Sequence, residues 1–223
     1  MRTDKSQPAE VQQDALWEQD PATGAARPEF ERLTFSGPQF HAHSYSGSER
    51  NRFFLNLAGT NFADLSTLSG ADDVGDSRAW VQWDMDRDGW PDIAVVNANV
   101  PSLSLYRNLL AAQHPGHRFI AVRLTGGSIS AAPQGLFSNR DGIGARIMVQ
   151  VGGVTLRRDR QCGEGFAAQN SATLLIGLGT AEKAERISIH WPSRKVQHIE
   201  NVAAGTLCIF KEATGACEQR KYQ

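Results

Sequence analysis

Trp80-Val81-Gln82-Trp83-Asp84-Met85-Asp86-Arg87-Asp88-Gly89-Trp90-Pro91-Asp92-Ile93-Ala94-Val95-Val96 holds two apolar, β-branched and aromatic runs on either side of an acidic loop. Runs of this kind read as strands. Between them, carboxylates occupy loop positions 1, 3, 5 and 9, glycine sits at position 6, and the Trp90 carbonyl falls at position 7. A hard divalent cation such as calcium takes about six to eight oxygens at roughly 2.3–2.6 Å, and alternating aspartates wrap their side chains round one point. Asp84, Asp86, Asp88, Trp90 and Asp92 are therefore the predicted calcium ligands. An EF-hand would need a bidentate Glu at position 12, where this chain has Val95, and helices on both flanks. The pattern is that of a calcium loop joining two strands. The plain alternative is an acidic turn, since Asp and Gly are ordinary turn residues. Seven Asp against two Arg between Ala71 and Asp92 leave a local balance of −5, a repulsion that a cation would relieve.

Outward from the loop, residues 30–114 read as short strands with turn signals. Arg52–Leu57 is one strand, Ala58-Gly59-Thr60 a turn, and Phe62–Leu65 a return strand antiparallel to the first; Ser102–Asn108 closes the region. Before it, residues 1–29 are polar and acidic and broken by Pro8, Pro21, Gly24 and Pro28, which predicts a disordered or extended arm. Residues 115–212 open with a strand at Arg118–Leu124 and a loop of about 15 residues. Ile147, Val149 and Val151 then alternate with Met148 and Gln150, Gly152-Gly153 supplies a two-residue hairpin turn, and Val154–Arg158 returns. Leu174–Ile176, Ile187–Trp191 and Thr206–Phe210 give further strands, and residues 213–223 read as a flexible tail. The fold class is all-β: a small antiparallel sheet around the loop, followed by a small sandwich or barrel.

The chain has 223 residues and a formal net charge of −1, which gives no support for nucleic-acid binding through a bulk positive field. Charge is unevenly placed, however. Asn139–Gln161 carries five Arg against two Asp, and the hairpin arginines Arg146, Arg157, Arg158 and Arg160 offer a surface for an acidic glycan or acidic partner, or else a strand edge guarded by charge. Three cysteines, Cys162, Cys208 and Cys217, make no disulfide framework, and pairing of Cys208 with Cys217 stays open. No apolar run is long enough to span a membrane. Met1–Pro8 lacks the apolar core of a secretory signal, so either the protein stays inside or a signal lies upstream. His41/His43 and His114/His117 have metal-like spacing but sit in turn-rich segments. Gly177-Leu178-Gly179 lacks the third glycine and the βαβ setting of a dinucleotide site. There is no Gly-x-Ser-x-Gly elbow, and no residue is assigned a catalytic role.

Two sets of residues resemble known families. Gly47-Ser48-Glu49-Arg50-Asn51-Arg52-Phe53-Phe54-Leu55-Asn56, with the aspartate loop and Ile93-Ala94-Val95-Val96-Asn97, resembles an FG-GAP (VCBS-type) repeat. Gly142-Ile143-Gly144-Ala145-Arg146, Gly163-Glu164-Gly165-Phe166, Gly177-Leu178-Gly179, Trp191-Pro192-Ser193 and Asn201-Val202 resemble the ASPIC/UnbV domain of cartilage acidic protein (CRTAC)-like proteins. The resemblance implies FG-GAP units acting as blades of a calcium-bound β-propeller, with a β-rich ASPIC/UnbV domain behind them, in proteins that are mostly secreted or periplasmic. It implies no general chemistry. Two departures stand out: a single full aspartate loop cannot build a multi-blade propeller alone, and Arg194 stands where the family often has Gly after Trp-Pro-Ser. Self-association or another chain would then complete the single blade. The expected function is a non-catalytic, calcium-stabilised module for binding or adhesion to a protein or carbohydrate. The alternative is an enzyme with a pocket between the two β regions, such as a natural-product cyclase-like activity with calcium organising the site. A closed, mostly apolar pocket would favour the enzyme, and a shallow, wet, charged face would favour binding.

Overall fold

The computed structural model describes residues 50–98, 101–130 and 135–222. The arm expected over residues 1–29, the His41/His43 pair and Gly47-Ser48-Glu49 lie outside the described residues. The chain divides into two compact units, one running to Arg78 and including Val95–Ser104, the other made of Ala79–Ala94 and Leu105–Gln223.

In the first unit, β1 (Phe54–Leu57) and β2 (Asn61–Asp64) form an antiparallel hairpin, as the Ala58-Gly59-Thr60 turn predicts. Phe54, Leu55, Leu57 and Phe62 of this hairpin are exposed. One helical turn follows, α1 (Ser66–Ser69), whose first backbone N–H is held by the Asp64 carboxylate at 2.9 Å. β3 (Ser77–Trp83), β4 (Asp92–Asn97) and β5 (Leu103–Tyr106), whose residues divide between the two units, form a three-stranded sheet in that order. The aspartate loop is the connection between β3 and β4. Buried Asn97 accepts from the Ser77 hydroxyl and donates to the Pro101 carbonyl and the Ser104 hydroxyl, so its amide is satisfied without water.

The second unit carries one helical turn, α2 (Leu110–Gln113), and eight strands: β6 (Arg118–Thr125), β7 (Arg146–Val151), β8 (Val154–Asp159), β9 (Thr173–Gly179), β10 (Lys183–His190), β11 (Val196–Ala203), β12 (Thr206–Lys211) and β13 (Ala216–Lys221). They make two four-stranded sheets, β11-β10-β7-β8 and β13-β12-β6-β9. All pairs are antiparallel except β6 with β12. The two sheets stay separate, so this part is a sandwich and not the closed barrel that was the other expectation. Period-2 alternation explains why. Ile120, Val122 and Leu124 on β6, Ile147, Val149 and Val151 on β7, and Ile187 and Ile189 on β10 all turn inward into one cluster, joined by Cys208 and Phe210 from β12. Each such fully buried side chain contributes roughly 1.5–3 kcal/mol relative to exposure. Gly152 and Gly153 take φ of 55° and 77° at the β7–β8 turn, the conformation a two-residue hairpin requires.

Two expectations change. The tail predicted to be flexible over residues 213–223 contains β13, which pairs with β12 from Thr206↔Lys221 to Lys211↔Ala216. Its polar sequence is that of an edge strand, whose stability comes from main-chain pairing more than from a buried face. Arg160 does not guard an exposed edge either. It is 5% exposed and donates to the Asp141 and Gln161 carbonyls. Arg157 and Arg158 do lie exposed on edge strand β8.

Buried Glu212, just after β12, ties three segments together. Its carboxylate accepts from the Gly127 and Ser138 backbone N–H groups at 2.8 Å each, from the Ser138 hydroxyl at 2.9 Å and from the Ser193 hydroxyl at 2.5 Å. Burial pushes this acid upward, but the four hydrogen bonds outweigh burial and hold it below the ordinary Glu value. Next to it the Trp191-Pro192-Ser193 turn closes through Arg194 N–H to the Trp191 carbonyl, with Arg194 at φ 71°. The turn forms with a non-glycine residue there, at the steric cost an L-residue carries in the left-handed region.

Candidate metal centre and an adjoining cationic cleft

The aspartate loop lies within the second unit and is shaped by its own carboxylates. Asp84 accepts from the Asp88 N–H at 3.1 Å and the Gly89 N–H at 2.8 Å, and Asp88 accepts from the Trp90 N–H at 2.8 Å. These bonds wind the backbone so that one oxygen each of Asp84, Asp86 and Asp88 lies within 4.8 Å of the others. Arg87 sits at φ 61° and Gly89 at φ 89°, which makes the sharp bend. Gly89 is needed for a second reason: a Cβ there would stand 2.0 Å from the Phe119 ring of β6. The loop therefore packs directly on the sandwich. Tyr222, just past β13, packs edge-on against Phe119 at 5.3 Å between ring centres and hydrogen-bonds Asp84.

Burial, with the Asp88 charge adding to it, holds the Asp84 carboxyl above the ordinary range, against hydrogen bonds from Gly89 and Tyr222. Tyr222 is pushed up to about 12 by burial and by the Asp84 charge. Arg107 reaches Asp86 at 2.5 Å and neutralises part of the cluster. Three convergent carboxylates that repel one another are a donor set suited to a hard, oxygen-loving cation. Each carboxylate oxygen that holds a backbone N–H still has a second lone pair to offer.

Of the five predicted ligands, the structure brings the carboxylates of Asp84, Asp86 and Asp88 together. Asp92 stands outside that cluster. It is 2% exposed, and its two oxygens accept from the Met85 and Asn108 N–H groups at 2.7 Å each, which pins the end of the loop to the chain after β5. The Trp90 ring stacks with His114 and His117 at 6.1 and 5.9 Å. The two histidines stack on each other at 4.9 Å, so their close spacing in sequence serves an aromatic pile on the loop.

Beside the loop the second unit carries an open cleft of about 810 Å³. Its floor is the outer face of the β13-β12-β6-β9 sheet, with Arg123, Leu207 and Arg220, and one wall is Trp83 and Asp84 at the loop's entrance. The loop entrance is fixed to the opposite wall by the Gln82 N–H on the Asn170 side chain at 2.8 Å and the Ser171 N–H on the Gln82 carbonyl at 3.1 Å. Six cationic side chains line the cleft against three acidic ones. Arg157 and Arg158 are the only hairpin arginines among them. Arg146 turns to Asp159 at 3.8 Å and Arg160 is buried.

The sequence reading missed Arg123, Arg220 and Tyr222. Arg123 had a signal: it is the one cation inside Phe119-Ile120-Ala121-Val122-Arg123-Leu124, at an outward position of an otherwise apolar strand. Arg220 and Tyr222 had none, because residues 213–223 carry no alternation that predicts a strand.

The family model described as ASPIC and UnbV matches residues 135–216. An ASPIC/UnbV domain is present here. The match begins after β6 and runs into β13, so the ASPIC/UnbV segment supplies most of the sandwich, including the walls of the cleft from Arg157 to Leu207. No curated protein matches the chain. The ASPIC/UnbV domain is β-rich and of uncertain role. Cys162, Cys208 and Cys217 are all free thiols. Among the described residues, no helix is long and apolar enough to cross a membrane.

Proposed function

We propose that this chain is a calcium-stabilised β module whose role is binding or adhesion, with a protein or carbohydrate as its ligand. The observation that carries the calcium part is the convergence of Asp84, Asp86 and Asp88 within 4.8 Å on a loop whose Asp88 and Gly89 N–H groups are held by Asp84. These three would hold Ca²⁺, with the Trp90 carbonyl and Asp92 as the further oxygens expected from their spacing. When bound, the ion supplies positive charge that offsets the mutual repulsion of the aspartates and fixes the β3–β4 connection. In this reading β3, β4 and β5 are one FG-GAP/VCBS-like, propeller-blade-like sheet. The exposed Phe54 and Phe62 of the preceding hairpin support completion of that blade by a second copy of the chain. Recognition is favoured over an enclosed reaction site because the cleft is open and lined by charged groups, unlike the closed, mainly apolar pocket that commonly surrounds a small substrate.

Thermal unfolding tests the metal reading. Calcium at a hundred times its dissociation constant stabilises the folded chain by about 2.7 kcal/mol, so the melting temperature rises with calcium and falls in chelator. An identical melt in both, with no calcium recovered from the purified protein, would overturn it.

A further inference from the structure

We infer that the cleft beside the aspartate loop is a site for an anionic oligosaccharide, with its acid groups on Arg123, Arg158 and Arg220. This rests on the binding reading above and names the ligand class.

Part of the charge in the cleft is left without a carboxylate partner. Arg157 is paired with Asp159 at 3.1 Å and Arg220 with Glu218 on the rim, but Arg123 has no carboxylate partner among the described residues. Arg158 donates only to a backbone carbonyl, that of Arg157, at 2.8 Å. These cations come from different strands. Arg123 lies opposite Ile209 on β12, and Arg220 lies opposite Leu207 on the other side of β12. Two strand spacings across and two residues along place their backbones about 12 Å apart. Charge is thus spread along the cleft, and its volume of about 810 Å³ suits an extended ligand better than one phosphate or sulfate ion.

Neutral hydrogen-bonding groups sit among the cations. Gln161, Asn170, Ser171 and Thr173 line the same cleft, and among the described residues Asn170 uses only its carbonyl oxygen, on the Gln82 N–H. Its amide N–H groups remain as donors. Trp83 adds an aromatic surface. Arginine forks match planar or trigonal acid groups, hydroxyl and amide side chains match sugar hydroxyls, and an aromatic ring gives the apolar side of a pyranose a place to lie. An acidic peptide would use the arginines and leave most of these neutral donors idle.

Calorimetry on the full chain with calcium present tests this, with sulfated maltohexaose, unsulfated maltohexaose and hexaglutamate as three probes. The sulfated sugar is expected to bind, more weakly at 200 than at 50 mM salt on the order expected for released counterions, and the unsulfated sugar and peptide at least tenfold more weakly. Arg123→Gln/Arg158→Gln is expected to lose at least tenfold in affinity for the sulfated sugar at an unchanged melting temperature. Arg220→Gln, a single change on the rim, gives a smaller loss and serves if the double variant folds poorly. No binding of the sulfated sugar, equal binding by the variants, or hexaglutamate binding as tightly would each overturn the proposal. A calcium titration of the same sample reports on the loop separately. A chain that takes calcium but no sulfated sugar refutes this inference alone, and one that takes the sugar without calcium refutes only the metal reading.

Discussion

In the sandwich, Ile187, Ile189 and Phe210 are withdrawn almost completely from water, and alternation along each strand decides which side chains turn inward. In the aspartate loop, Met85, Asp86 and Arg87 stay exposed, and the chain path is set by carboxylates that capture backbone N–H groups two to seven residues away. One region is held by apolar burial, which is indifferent to ions, and the other by a polar scaffold that gathers negative charge in one place. The apolar core and the metal response should therefore rest on different residues. The two meet at Gly89 on Phe119, with Tyr222 spanning from the sandwich to Asp84.

The sharpest break of that contrast is in the core. Phe210→Ala should cost about 3–5 kcal/mol in urea unfolding, by the same amount with calcium or with chelator. A cost that depended on calcium would show the core and the loop to be energetically coupled. Glu212→Gln should cost about 2 kcal/mol, because it removes a buried charge-assisted hydrogen-bond hub. Its pH behaviour has a definite sign. The folded-state value lies below the ordinary Glu value of 4.5, so the stabilisation is complete above the unfolded-state value and is lost as pH falls through the lowered folded one. Stability measured from pH 6 downward should therefore fall less steeply below about 4.5 in the variant than in the natural chain. Equal slopes would mean that the hydrogen bonds do not favour the ionised form. The smallest effect should be a gain. Arg194→Gly relieves a left-handed residue and should stabilise the sandwich by about 0.5–1 kcal/mol, after subtracting the entropy cost of glycine. A loss there would mean that the arginine side chain contributes more than its backbone strain costs.

The legibility of this sequence follows the same division. Strands β6, β7 and β10 could be read directly because one face of each is buried and the apolar residues recur at every second position. β11 and β13 could not. Both are sheet edges, and sequences such as Ala216-Cys217-Glu218-Gln219-Arg220-Lys221 carry no alternation to find. The aspartate loop was legible in its spacing and in its place between two strands. What each carboxylate holds besides was not: both Asp92 oxygens also accept backbone N–H groups, from Met85 and Asn108. Spacing fixes where a side chain starts, whereas its partner depends on a segment that only the folded chain brings near. The same holds for Arg123 and Arg158, which face one cleft from opposite sheets of the sandwich.

The most direct test of the loop's role is a calorimetric calcium titration of chelator-stripped protein beside the Asp86→Ala/Asp88→Ala variant. Binding to the natural chain that disappears in the variant, while the variant melts as the natural chain does in chelator, is the predicted result. Absence of binding to the natural chain, or equal binding to both, would contradict a calcium centre at Asp84, Asp86 and Asp88.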